Sequence, residues 1–156
     1  MMRTLAALFC ALAFTLPALA QAPTDEVTDL NALRASVKAD KRAFVAATLG
    51  LSDAESKRFW PIYDKYQADL EQANRMRAVA LKGLVSRESP ITDLYAKQLA
   101  RELVSSDEAE VKARRAMYNR VMRALPATKA ARYLQLESKI RALQSYDIAV
   151  AFPLIK

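Results

Sequence analysis

Asp107, Glu108 and Glu110 group three carboxylates within four positions, with Ser105 and Ser106 just before them. Carboxylates share acid and base roles when their surroundings separate their pKa values. A serine attacks only when a neighbouring base takes its proton. The chain has no histidine, the commonest general base and metal ligand, and nothing supports a lysine-assisted serine. On a helix these carboxylates read as a solvated face or a cap. Met76, Met117 and Met122 offer thioethers of the kind that hold copper(I). All three fall on apolar stripes, where methionine fills gaps. Trp60, Tyr63 and Tyr66 could line an aromatic box, but at helical spacing around Pro61 they read as core. No catalytic residue, metal site or cofactor is expected, and the chain reads as a binding protein.

The basic residues leave two readings open. Lys112, Arg114 and Arg115, then Arg120 and Arg123, interleave with Met117, Tyr118 and Met122. Such a surface suits weak capture of unfolded chains, since apolar contacts give affinity and charge speeds encounter. Equally, the stems of Lys and Arg can cover a core stripe while their charges stay in water.

The first twenty residues have the parts of a secretory signal. Arg3 is followed by an apolar run from Leu5 to Leu16, and Pro17-Ala18-Leu19-Ala20 offers a cut after Ala20. A spanning helix needs about 20 apolar residues, more than this run supplies. Residues 1–20 are therefore expected to be removed, leaving 21–156 as one periplasmic domain. The only cysteine, Cys10, lies inside the signal, so the mature chain would carry no thiol. The formal net charge of +7 would suggest nucleic acid in a cytosolic protein. Behind an export signal no nucleic acid is expected. Anionic lipid head groups, lipopolysaccharide or acidic stretches of other proteins fit better, and so does a plain solubilising surface.

Strong helix formers dominate the sequence, and glycine occurs only at Gly50 and Gly83. The pattern predicts an all-α fold of four helices. The first spans about Leu30 to Leu49, with Leu30, Leu33, Val37, Phe44 and Val45 on one side, and stops at Gly50. Ser52 and Glu55 form a capping box that opens the second, with Leu51 as its hydrophobic staple. That helix reaches about Ser86 on a stripe of Phe59, Tyr63, Tyr66, Leu70, Ala73, Met76, Ala80 and Leu84, and Pro61 should bend it. A third runs from about Thr92 to Leu125. It carries one stripe of Tyr95, Leu99, Leu103, Ala113, Met117 and Val121, and a second of Val104, Val111, Tyr118, Met122 and Leu125. The fourth covers about Ala127 to Val150, with Tyr133, Leu136, Ile140, Leu143 and Val150 apolar. The Phe152–Ile155 tail is expected to dock. The short connection between helices two and three makes them antiparallel neighbours.

Leu51, Ser52 and Glu55, followed by Phe59, Trp60, Pro61, Tyr63 and Tyr66, resemble the helix-opening Leu-Thr-x-x-Gln signature of Spy/CpxP-like periplasmic proteins. Leu125-Pro126-Ala127-Thr128-Lys129, with Arg132 and Tyr133, lies where a second copy would stand but departs from it. The resemblance implies a long antiparallel helical hairpin that dimerises into a cradle. It implies an ATP-independent chaperone of unfolded envelope proteins, or a regulatory partner of an envelope sensor. A metal-binding branch of the family relies on histidine and cysteine, which the mature chain would lack. Val104, Val111, Arg114, Arg115, Tyr118 and Met122 are the expected client-binding residues, because a helix with two apolar rows can turn only one fully inward.

Overall fold

A computed structural model describes residues 29–152 and 154–155, so the signal reading of residues 1–20 lies outside the described residues. The described chain is all-helical: α1 (Leu30–Leu49), α2 (Asp53–Val85), α3 (Asp93–Ala124) and α4 (Ala127–Ala151), with no strand among the described residues. No described helix is long and apolar enough to cross a membrane.

Local chemistry sets most helix ends. Asp29 Oδ1 accepts from the amides of Asn31 (2.8 Å) and Ala32 (3.3 Å), which opens α1. Gly50 closes it at φ +52°, a left-handed conformation that costs glycine little, and its amide donates to the Ala46 carbonyl. Two residues on, the Glu55 amide donates to Ser52 Oγ at 3.3 Å and the Ser52 amide to Glu55 Oε2 at 2.8 Å. This reciprocal box starts α2. Ser52→Ala should lower unfolding free energy by about 0.5–2 kcal/mol, the usual cost of an unpaired first-turn donor. A thermal midpoint equal to that of the parent would show that the cap contributes nothing.

α1 is not the unbroken helix its apolar spacing suggests. Asp40 leaves helical geometry (φ −159°, ψ 96°), and its Oδ1 accepts from the Ala43 amide at 2.9 Å. It thus works as an N-cap in mid-helix. α2, in contrast, runs through Pro61, and α3 runs through Ser105–Glu108.

α2 has 33 residues and α3 has 32, each about 50 Å long. Their contacts run in opposite order along the two helices. Gly83 lies against the Tyr95 hydroxyl, and Arg77 reaches Asp107 and Glu110. Nearer the start of α2, Lys65 and Asp69 share a groove with Ala113 and Ala116. α1 and α4 pack on each other and close a core over only one part of this pair. There Phe59, Tyr63, Tyr66 and Leu70 of α2 meet Met117 and Val121 of α3, Tyr133, Leu136 and Ile140 of α4, and Leu33 and Val45 of α1. Further along, the buried apolar residues of α2 and α3 shrink to Ala73, Ala80, Leu81 and Leu99.

This partial cover corrects the expected core. Met76 is exposed because it lies past the region that α1 and α4 enclose, and Leu84 is only half-buried. Leu30 and Val150 sit at outer helix ends and are exposed. The apolar tail is not docked at Leu154, which is 92% exposed, although Phe152 is half-buried. In the second row of α3, Leu125 turns inward while Val104, Val111, Tyr118 and Met122 stay out.

Candidate binding surface

The first helix-opening segment is built into a corner. Leu51 packs against the core, and Lys129, from the first turn of α4, donates to Gly50 O at 2.8 Å and to Glu55 Oε2 at 2.7 Å. The Lys129 ammonium, aided by the Ser52 amide, holds the Glu55 carboxyl down at about 2. One lysine thus closes the end of α1 and braces the start of α2. The imperfect second copy of the signature folds onto the first: the Tyr133 ring meets Phe59 edge-on, with centroids 4.9 Å apart.

The aromatic residues of the first segment divide between two roles. Phe59, Tyr63 and Tyr66 are buried; Trp60 is half-buried and Pro61 exposed. The Arg42 guanidinium from α1 stands 4.2 Å from the Trp60 ring centroid and also pairs with Asp64. A cation over the ring leaves these residues a packing layer, with no open aromatic box.

Beneath it lies a buried polar layer that sequence periodicity does not predict. Glu137 is fully buried on α4, and its Oε1 accepts from Lys41 Nζ at 3.1 Å. Lys41 also donates to Gln67 Oε1 at 3.0 Å, joining α1, α2 and α4 at one point. Burial first, and the Glu137 charge next, push the hydroxyls of Tyr63, Tyr66 and Tyr133 well above the usual tyrosine range. Glu110 joins a second set. Arg141 Nε donates to its Oε1 at 2.7 Å, and Arg77 Nη2 approaches its Oε2 at 3.1 Å while bonding Asp107 at 2.6 Å. Asp107 and Glu110 are therefore ion-pair partners, whereas Glu108 remains exposed. Ser106 is buried and donates to the Leu103 carbonyl at 2.7 Å. Both carboxylate sets are structural, each satisfied by cations from other helices.

The thioethers occupy three different settings. Met117 lies in the core, Met76 in a groove between α2 and α3, and Met122 on the outer strip of α3. Among the described residues no cluster of three or more metal-ligating Asp, Glu, His or Cys side chains occurs.

The open surface is on α3. Val104 is 56% exposed, Val111 51%, Met122 38% and Tyr118 37%. Arg115 is exposed beside them, while Arg114 is half-buried. Val104, Glu108, Val111 and Arg115 line a shallow groove of about 430 Å³. A second groove, of about 630 Å³, lies where α2 and α3 are uncovered, with Met76 and Val79 on its apolar wall and Arg75 and Arg101 at its rim. This groove was not foreseen, because a helical stripe tells which side turns inward but not how far the covering helices reach. No family model, no curated protein and no solved structure matches the chain.

Proposed function

We propose that this is an ATP-independent holding protein of the bacterial envelope, one that binds unfolded segments along the outer face of α3. One observation carries the reading: Val104, Val111, Tyr118 and Met122 form a row of exposed apolar side chains along a helix, with Arg115 beside them. Exposed apolar rows of this kind mark interaction sites more often than plain surface. Contacts spread along a helix are individually weak, which a protein that releases its client without ATP requires. The proposal includes the Spy/CpxP-like resemblance: α2 and α3 as the long hairpin, a dimer forming a cradle, and a periplasmic location following removal of residues 1–20.

The test is suppression of aggregation of a reduced, unfolding client without nucleotide. The protein should slow light scattering at near-stoichiometric ratios. Val111→Ser with Tyr118→Ser should weaken the effect several-fold while helical content by circular dichroism is unchanged. These residues are exposed, and surface changes usually move stability by under about 0.5 kcal/mol. Full protection by the double variant would move the site elsewhere. No protection by the parent would favour a regulatory partner that docks on an envelope sensor.

A further inference from the structure

The spacing of the exposed row says what kind of segment fits it. Val104, Val111 and Tyr118 recur every seven residues, and Glu108, Arg115 and Met122 interleave with them four positions on. A seven-residue repeat drifts around a straight helix and stays in register only against another helix wound on it. The seam ends where Leu125, next in the series, turns into the core. From Val104 to Met122 it is about 27 Å long, enough for some five turns of a partner helix.

Its narrowness excludes other occupants. A membrane surface needs a broad apolar face, whereas this seam is a single file interrupted by Glu108 and Arg115. An extended strand would need a sheet edge to join, and the described chain has no strand.

Charge narrows the choice again. No Asp or Glu occurs from Val111 to Leu136. Lys112, Arg115, Arg120 and Arg123 are exposed in that stretch and make no ion pair among the described residues. A second copy laid parallel would set these cations against themselves. Laid antiparallel, it would bring Asp107, which Arg77 already holds. A partner carrying its own carboxylates fits better, and a polar residue within the seam sets register.

We infer that this seam binds an α-helical segment with a seven-residue apolar repeat and acidic flanks, so that clients of the proposed holding protein are held as helices. The inference rests on that reading of the α3 face and names the chemistry of its client.

The probe is a labelled peptide of about three heptads, with Leu at the core positions and Glu at the flanks. Its controls are a shuffled peptide of the same composition, the same heptads flanked by Lys, and phosphatidylglycerol vesicles. The acidic heptad peptide should bind about tenfold tighter than the shuffled one by fluorescence anisotropy and gain helicity on binding. Arg115→Glu should weaken the acidic peptide and strengthen the Lys-flanked one; Val111→Ser should weaken both. Equal binding of the shuffled peptide, or a bound peptide that stays non-helical, would overturn the inference. So would vesicle binding or self-association that Val111→Ser abolishes. If these arms fail while the protein still suppresses aggregation through the same face, the holding function stands and only the helical client is lost.

Discussion

Lys41→Met is expected to lower unfolding free energy by about 3–5 kcal/mol, the range for leaving one member of a buried ion pair without its partner. Glu137 is fully buried on α4, and Lys41, whose side chain is 17% exposed, is its only ion-pair partner among the described residues. Exposed pairs elsewhere, such as Arg34 with Asp147, contribute roughly 0–1 kcal/mol. The difference is desolvation: water cannot take over from the lysine at a carboxylate it does not reach. Replacing both members, Lys41→Met with Glu137→Leu, should recover most of the loss, since apolar groups of similar volume often replace a buried pair without penalty. Urea unfolding of the parent, the single variant and the double variant measures the coupling directly. A single variant within about 1 kcal/mol of the parent would show that Glu137 draws its compensation from another group.

Such a pair also ties three helices at one point, because Lys41 bonds Gln67 on α2 as well as Glu137 on α4. It stands one residue after the break at Asp40. The second half of α1 is therefore anchored through charge as well as through Phe44, Val45 and Leu49, and Arg42 adds its pair with Asp64.

Which features the sequence displays follows from the range of the forces involved. The ends of α1 and α2 are legible because Gly50, Ser52 and Glu55 act within one turn of themselves. The break at Asp40 has an equally local cause, its bond to the Ala43 amide. It is masked because Val37 and Phe44 keep their apolar phase across it. The inward residues Phe59, Tyr63, Tyr133 and Ile140 follow from helical spacing. The exposed row on α3 follows too, since a helix with two apolar rows cannot bury both. Met76 marks the limit: the period is right, but the reach of α1 and α4 over α2 is a tertiary fact. Glu137, Arg141 and Glu110 were invisible for another reason. Glu137 joins Lys41 across 96 positions, and Arg141 joins Glu110 across 31. Nothing local says that a charged residue in a helix has a partner waiting inside.

Glu110→Gln should bring the second large loss, and pH separates it from the first. Glu110 lies between Arg141, with a side chain 5% exposed, and Arg77, at 12%. Burial pushes its carboxyl upward, but the Arg141 and Arg77 guanidiniums outweigh burial and hold it below the ordinary 4.5. A carboxyl depressed on folding stabilises the native state fully above its unfolded value and loses that contribution as pH falls through the folded one. At pH 7 the variant leaves Arg141 buried without its carboxylate and should cost about 3–5 kcal/mol. Arg77 suffers less, because Asp107 still holds it. Below about pH 4.5 the parent protonates the same site and the gap between parent and variant should close. Glu55, held down to about 2 by Lys129, also weakens the fold in acid, but it does so in both proteins and cancels from the difference. Urea unfolding of the pair at pH 7 and again in strong acid reads this directly. A gap as wide in acid as at neutrality would mean that the Glu110 charge is not what Arg141 requires.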